Sequence, residues 1–285
     1  MLGNEREITP KKAGHGNGVE SRGVVEELPV SQGVVTYRKL SSLFENYRDR
    51  KHLVVLQGTP DPDAISSALA LEAVGELFGI ETTILTFANV SHHENRALVK
   101  RLEINLQRYS ESIDLSAFAI YSIVDSQKGY TPIDFKLKDA EVQFFAFIDH
   151  HREEPSPPPA LFVDVRPHYG SVATIVTEYL MEAFPKGLEP TDSQHLRLAT
   201  ALMHGIRSDT QKFRYATQYE FKSAAFLAPC VDNNAIETIE RRVLTSSMLG
   251  VLENALVNRK MHDNFIFSDV GFVRSGDRDI IPQGK

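Results

Sequence analysis

The sequence predicts an α/β fold in which a mostly parallel sheet is flanked by helices. Continuous apolar runs end at residues 56, 124 and 148, and such runs are typical of strands buried on both faces of a parallel sheet. Segments with helical periodicity separate them, as in consecutive βαβ units. With 285 residues, 42% of them hydrophobic, the chain can form one large or two modest domains with a real core.

The first half of the chain divides into an arm and alternating elements. Residues 1–34 are rich in Gly, Glu, Lys and Ser and lack periodicity, which predicts a flexible N-terminal arm. The run 64–78 has a buried apolar face and meets Gly79, a common helix end. The other expected elements are a helix over 37–49, strands over 53–57 and 82–87, a helix over 94–102, and strands over 117–124 and 142–148.

The second half is predicted to be mainly helical. A Pro-rich loop at 155–159 precedes a short strand over 161–164, and Ser171 is an N-cap candidate for a helix that reaches about 184. Helices are expected near 192–206, 217–228, 233–242 and 246–258, and strands over 265–267 and 270–273.

Composition limits the cellular context and the partners. The single cysteine, Cys230, excludes a disulfide framework and suits a reducing compartment. No apolar run approaches the ~20 residues that span a bilayer, and the N-terminus lacks a signal-peptide pattern. We therefore expect a soluble, cytoplasmic protein without membrane association. A net charge of −7 argues against binding long nucleic acid, which relies on many contacts from Lys and Arg, and favours small or short anionic substrates.

Acidic and imidazole side chains follow the ends of the predicted strands. Ligands of open α/β sheets gather at the carboxyl ends of parallel strands, so these residues are expected to meet at one edge. An aspartate after a single strand is commonly a loop or cap residue. Four separate segments that deliver such groups to one edge instead predict a site. They contain Asp61 and Asp63, Asp125, the triplet Asp149-His150-His151, and Asp209.

These segments resemble the motifs of the DHH phosphoesterases, a family named for the triplet found here at 149–151. The resemblance covers roughly residues 50–230 and includes Pro60-Asp61-Pro62-Asp63-Ala64, Val124-Asp125-Ser126, Gly170-Ser171-Val172-Ala173-Thr174 and Gly205-Ile206-Arg207-Ser208-Asp209-Thr210. The spacing of motifs is most similar to the branch of oligoribonucleases and adenosine bisphosphate phosphatases. The resemblance implies metal-dependent hydrolysis of phosphoester bonds in short oligonucleotides or small nucleotides by a two-metal mechanism.

The resemblance also implies a ligand set. Asp61 and Asp125 would hold a first ion, and Asp63, Asp125, His150 and Asp209 a second, so that Asp125 bridges the two. Oxygen-rich sites with one imidazole suit manganese or magnesium. Because His150 binds metal only when neutral, metal affinity is expected to fall as the pH drops through about 5 to 6.5.

Other residues of the motifs are candidates for contacts with substrate. His151 resembles the family's second histidine, which lies near the substrate phosphate, and Asp149 is expected to hold the other ring nitrogen of the metal-binding His150. Ser171 and Thr174, at a predicted helix N-terminus, either face an anionic group or act only as caps. Arg214 is a candidate for one wall of a cleft.

Two departures from the family pattern leave alternatives open. Gln57 stands where the family carries a histidine, and a neutral amide is a poorer ligand for a transition metal. The family's second domain carries a glycine-rich, histidine-containing motif, and no Gly-Gly-Gly-His occurs here. The predicted domains are therefore a phosphoesterase domain over 35–230, a helical linker over 231–261, and the start of a truncated second domain over 262–285. The alternatives are a pyrophosphatase or exopolyphosphatase, and a catalytically weakened nucleotide-binding module. The sequence leaves the oligomeric state open, including a homodimer.

Overall fold

The computed structural model describes residues 32–90, 92–151, 158–241 and 246–271, which all lie within the compact unit Ser31–Lys285. Six strands form the main sheet, and two more form a separate antiparallel hairpin. The strands are β1 Lys51–Leu56, β2 Glu81–Thr86, β3 Leu106–Arg108, β4 Ile120–Val124, β5 Gln143–Asp149, β6 Phe162–Val165, β7 Lys260–His262 and β8 Phe265–Phe267.

Helices connect the strands and continue beyond the sheet. Most begin at a side-chain cap, such as Asp61 before α2 and Ser171 before α5. The α-helices are α1 Gln32–Glu45, α2 Pro62–Glu76, α3 His93–Arg101, α4 Asp134–Asp139, α5 Val172–Ala183, α6 Ser193–Asp209, α7 Gln218–Leu227, α8 Asn233–Glu240 and α9 Ser246–Val257.

The strand order creates a switch point in the centre of the main sheet. All neighbouring strands of this sheet are parallel, in the order β3-β2-β1-β4-β5-β6. The chain builds outward from β1 through β2 to β3 and then restarts at β4 on the other side of β1. The connections on the two sides of β1 and β4 therefore diverge, which opens a crevice at the carboxyl ends of these strands.

The sheet is buried on both faces, as the continuous apolar runs predict. Val54 and Leu56 of β1 pack into a large core with the four helices α1, α2, α5 and α6, whereas Leu53 and Val55 face a smaller core on the other side. Leu137 of α4 and Leu115 of a short 3-10 helix contribute to that smaller core. The predicted α/β class with a mostly parallel sheet is confirmed.

Short elements are where prediction and structure differ. The sequence does not predict β3, α4 and β7, because these elements span three to six residues and carry too few apolar positions to show a period. The strand expected over 270–273 extends past the described residues, and Val270 and Gly271 are not in a strand. Residues 1–31 of the predicted arm and residues 272–285 also lie outside the described part of the chain.

Among the described helices, none combines the length and apolar character needed to cross a bilayer.

A buried histidine lies at the opposite end of β1 from the crevice. The His52 ring packs edge-on against Phe44 and Phe145, and its Nε2 shares a 2.8 Å hydrogen bond with Ser122 Oγ. Burial lowers the pKa of His52 to about 3. The folded protein therefore holds this imidazole neutral under mildly acidic conditions.

We expect His52 to make the fold sensitive to acid. Below about pH 6.5 the unfolded chain takes up a proton that folded His52 refuses, so stability falls until the pH reaches about 3. Replacement His52→Phe should flatten the decline of urea-unfolding free energy between about pH 6.5 and 4. The variant His92→Phe, at an exposed position, is the control and should retain the wild-type slope. Equal slopes for all three proteins would show that His52 does not stay neutral.

Candidate metal centre

Charged groups from four segments meet at the carboxyl ends of the central strands. One ligand atom each from Asp63, His150 and Asp209 lie within 4.8 Å of one another, and so do ligand atoms from Asp125, His150 and His151. Asp63 enters from the N-terminus of α2, Asp125 follows β4, and the histidines follow β5. His150 belongs to both groups and is the centre of the cluster.

His150 directs one ring nitrogen to the carboxylates and the other to the main chain. Its Nε2 is 3.5 Å from Asp209 Oδ2, 3.6 Å from Asp125 Oδ1 and 3.9 Å from Asp63 Oδ2. This nitrogen is buried and has no hydrogen-bond partner. On the other side, Nδ1 lies 3.1 Å from the carbonyl of Tyr169. A proton on Nδ1 would satisfy that carbonyl and leave the Nε2 lone pair for a ligand.

Asp63 is fixed by the N-terminus of α5. Its two carboxylate oxygens accept hydrogen bonds of 2.7 Å from the backbone N–H groups of Val172 and Ala173. These are among the donors that a helix leaves unpaired at its start, and the helix dipole there favours negative charge. A fully buried carboxylate is thereby held in a single orientation.

Asp125 has a left-handed backbone at the crevice. Its φ of 51° is uncommon for residues other than glycine, although aspartate tolerates it better than most. The backbone N–H extends the sheet by donating to Ile148 O at 2.9 Å. Side-chain atom Oδ1 is buried, has no hydrogen-bond partner, and lies 3.8 Å from His151 Nδ1.

Asp61 and Asp209 complete the acidic ring. Asp61 caps α2 by accepting from Ala64 N at 3.0 Å, and Asp209 is the last residue of α6. Gly205 sets the approach of α6, because a Cβ there would lie 2.3 Å from Ser66 Oγ and 3.1 Å from Pro62 O. The missing side chain therefore lets α6 bring Asp209 to the start of α2.

The protonation of the cluster reflects its excess of negative charge. Burial raises the pKa of Asp63, and the neighbouring Asp125, Asp209 and Asp61 raise it further. Burial also raises the pKa of Asp125, and Asp61, Asp209 and Asp149 raise it further, against the opposing effect of His150. For His150, burial lowers the pKa, but Asp209 and Asp125 outweigh burial and raise it to about 9. The cluster thus attracts positive charge.

Asp149 pairs with a different histidine from the one expected. Its Oδ1 lies 2.8 Å from His151 Nδ1, whereas the predicted Asp149–His150 contact is replaced by the Tyr169 carbonyl. The reason is geometric, since successive residues leaving a strand point in different directions and only His151 turns back to Asp149. His151 is also the more exposed of the two rings.

Gln57 lies at the end of β1, but its amide is engaged elsewhere. Its Nε2 donates a hydrogen bond to the carbonyl of Tyr130 in the loop that follows β4. The side chain therefore links the two strands that border the crevice. His52, at the other end of β1, is buried away from the carboxyl edge, as its sequence position predicts.

The three predicted substrate contacts have different surroundings. Ser171 and Thr174 are fully buried, and their hydroxyls share a 2.8 Å hydrogen bond while Ser171 caps α5. The backbone donors beside them are used by Asp63. Arg214 is exposed, with its guanidinium 5.6 Å from the centre of the Tyr215 ring.

A buried ionic group next to the cluster was not predicted. Arg166 bonds Asp164 and Glu178, and Tyr169 also bonds Glu178. One signal was available, because Asp164 lies within an otherwise apolar strand and Arg166 directly follows it. The role of the Tyr169 carbonyl has no such signal, since every residue carries a carbonyl.

Comparison with known proteins agrees with the fold. No family model matches the chain. The chain is 33% identical over 233 residues to an uncharacterised protein of Methanocaldococcus jannaschii. The aligned region covers 81% of this chain and 45% of the relative. The chain therefore spans less than half the length of that relative.

Solved structures share the architecture at low sequence identity. An exopolyphosphatase-related protein from Bacteroides fragilis aligns with a TM-score of 0.56 and 15% identity over 80% of this chain and 66% of that one. A putative family II inorganic pyrophosphatase from Methanococcus jannaschii aligns with a TM-score of 0.50 and 22% identity. This alignment covers 73% of this chain and 62% of that one. These likenesses support the α/β fold with a mostly parallel sheet.

We expect Gly205→Ala to disturb metal binding through helix packing. With the added methyl group the Ser66 hydroxyl must turn away and α6 must shift slightly from Pro62 O of α2. The shift moves Asp209 and should weaken manganese affinity about tenfold. Overpacking of this kind costs about 1–3 kcal/mol of stability. The matched control is Gly250→Ala in α9, where a Cβ meets nothing within 4 Å. Manganese affinity is measured by calorimetric titration. A Gly205→Ala protein that binds manganese as tightly as wild type would refute this packing role.

Proposed function

We propose that the protein is a metal-dependent hydrolase of phosphoester bonds in short oligonucleotides or small nucleotides. The proposed catalytic groups are His151 and Asp149, and the proposed cofactor is a pair of manganese or magnesium ions. The proposed metal ligands are Asp61, Asp63, Asp125, His150 and Asp209, with Gln57 beside them.

One observation carries the proposal. His150 Nε2 and Asp125 Oδ1 are both buried without a hydrogen-bond partner and lie only 3.6 Å apart. Leaving buried polar atoms unpaired is costly, so such a pair is expected where a ligand completes it. Acidic oxygens surround the pair, which favours a cation as that ligand.

The donor set suits the proposed ions. Carboxylate oxygens with one imidazole match manganese better than zinc, which favours sulfur and nitrogen, and the single cysteine, Cys230, is distant in the chain. When bound, such ions supply Lewis acidity and lower the pKa of a coordinated water.

The chain itself contributes orientation and a proton donor. The backbone donors of Val172 and Ala173 fix Asp63, and the Tyr169 carbonyl fixes His150. Asp149 Oδ1 accepts from Nδ1 of His151 and so orients this partly exposed ring. In its doubly protonated form the ring would donate from Nε2 to a substrate phosphate.

The two proposed ion positions differ in their ligands. Asp63, His150 and Asp209 offer three convergent atoms for one ion, shared with Asp125. The other position relies on Asp61 and Asp125, because the Gln57 amide bonds the Tyr130 carbonyl. We therefore propose that the position formed with His150 binds its ion more tightly than the position formed with Asp61.

A second candidate function is hydrolysis of phosphoanhydrides. The two solved neighbours are described as exopolyphosphatase-related and as a putative pyrophosphatase, which favours this alternative. A weakened nucleotide-binding module is the third candidate, favoured by Gln57. The candidates are separated by measuring turnover, with manganese, of a dinucleotide, adenosine bisphosphate, pyrophosphate and polyphosphate. Binding of nucleotide without turnover of any of these substrates would support the nucleotide-binding module.

We expect Asp125→Asn to abolish hydrolysis and most manganese binding while the fold persists. The amide removes the charge shared by both proposed ions but keeps the size of the side chain. Calorimetry should show at least a hundredfold loss of manganese affinity, and circular dichroism should remain that of wild type.

The matched control is Asp192→Asn at the N-cap of α6, where the side chain accepts from Gln194 N and His195 N. An amide oxygen preserves such a cap, so this variant should retain metal binding and turnover. Full manganese-dependent turnover by Asp125→Asn would refute the proposed role of Asp125.

We expect manganese affinity to rise with pH up to about 9. Sequence alone predicted proton competition over about pH 5 to 6.5, but the carboxylates around His150 raise its pKa to about 9. Below that value manganese must displace a proton, so affinity should fall about tenfold per pH unit for each proton released. Higher manganese should move the acid limb of hydrolysis to lower pH. Manganese affinity that is constant from about pH 6 to 9 would show that the carboxylates do not raise the His150 pKa in this way, and affinity that stays constant down to about pH 5 would exclude His150 as a ligand.

A further inference from the structure

A buried arginine connects two acidic residues beside the metal centre. Arg166 is only 1% exposed. Its Nε and Nη2 donate to the two oxygens of Asp164 at 2.8 Å each, and its Nη1 donates to Glu178 Oε2 at 2.6 Å. The guanidinium is thereby locked in a planar fork of charge-assisted hydrogen bonds.

Two members of this ionic group, together with Tyr219, hold the Tyr169 side chain. The Tyr169 hydroxyl donates to Glu178 Oε1 at 3.2 Å, and its ring lies 4.9 Å from the Arg166 guanidinium. Tyr219 stacks on the ring at a centroid distance of 4.3 Å. In the main chain, Tyr169 N donates to Arg166 O at 3.0 Å. The side chain and backbone of Tyr169 are therefore both fixed.

The segment from Arg166 to Tyr169 meets His150 at two points. Arg166 N donates to Asp149 O at 2.9 Å, directly before His150, and the Tyr169 carbonyl lies 3.1 Å from His150 Nδ1. A carbonyl can only accept, so it selects the imidazole form with its proton on Nδ1. The unprotonated Nε2 of that form then faces the acidic ring.

Stability is a poor explanation for this arrangement. Burying one guanidinium with two carboxylates costs desolvation that their attraction often fails to recover. An apolar cluster of similar volume would hold β6 and α5 together at least as well. The ionic group, however, fixes direction, which apolar contacts do less strictly.

We propose that Arg166 and Tyr169 are positioning residues for metal binding. They hold the Tyr169 carbonyl so that Nδ1 of His150 carries the proton and Nε2 remains available to a cation. The inference rests on the proposed function insofar as His150 is a metal ligand there.

The test compares tyrosine variants within the same ionic group. Tyr169→Leu loses the hydroxyl and the ring contacts, and Tyr169→Phe loses only the hydroxyl. The matched control is Tyr179→Phe, which removes the hydroxyl that donates to Asp164 but leaves Tyr169 untouched. Manganese dissociation constants are measured by calorimetry, and unfolding free energies by urea titration.

Each variant has its expected result. Tyr169→Leu should weaken manganese binding about 10- to 100-fold, the usual effect of losing support for a ligand. Tyr169→Phe should show a smaller loss in the same direction, and it carries the test if Tyr169→Leu fails to fold. Tyr179→Phe should bind like wild type even though it loses stability. Unchanged affinity in the folded Tyr169 variants, or an equal loss in Tyr179→Phe, would overturn the proposal.

Nitrogen NMR of histidine-labelled protein tests the inference without metal. Spectra are recorded at increasing pH until the His150 nitrogen resonances stop shifting, so that the ring observed is neutral. Wild type should show the form protonated on Nδ1, and Tyr169→Leu should show a mixture of both forms. A wild-type ring protonated on Nε2 would overturn the inference. Failure of wild type to bind manganese would count against the proposed function, and the spectra would still decide whether the Tyr169 carbonyl places the proton on Nδ1.

Discussion

Repulsion among buried carboxylates is the constraint on which the rest of the site depends. Asp63, Asp125 and Asp209 all lie within 4 Å of one imidazole nitrogen, in a place where burial and mutual repulsion raise the pKa values of Asp63 and Asp125. The fold offsets part of this cost by giving Asp63 the N-terminus of α5. Among the residues that the structure describes, His150 is the group able to carry positive charge that these contacts bring to the centre of the ring. A divalent cation would neutralise the remainder, and this is the physical basis of the proposed metal centre.

The topology explains why these groups meet. The switch between β1 and β4 opens the crevice, and the turns that follow these strands carry Asp61, Asp63 and Asp125 into it. Helix α6 brings Asp209 to the same place, and Gly205 permits its close contact with α2. The left-handed backbone at Asp125 is a further local cost that the surrounding sheet sustains.

Sequence patterns predicted the architecture and the members of the acidic ring because both leave periodic or charged signals. The apolar strands and the order of the motifs were sufficient to bring Asp63, Asp125 and His150 to one edge. The contacts that orient these residues were beyond prediction. Asp63 bonds backbone groups more than a hundred positions away, and His150 bonds a carbonyl that carries no sequence signal. The partner of Asp149 and the amide contact of Gln57 likewise depend on loop directions, which tertiary packing decides.

Anomalous diffraction at the manganese edge, from crystals grown with manganese, tests directly whether an ion binds at His150. Because the buried and unpaired Nε2 of His150 is the atom around which the acidic ring converges, the strongest anomalous peak should lie in contact with it. Asp63, Asp125 and Asp209 should supply oxygen ligands to the same ion. A protein that hydrolyses phosphoesters with manganese but shows no peak at His150 Nε2 would contradict the account.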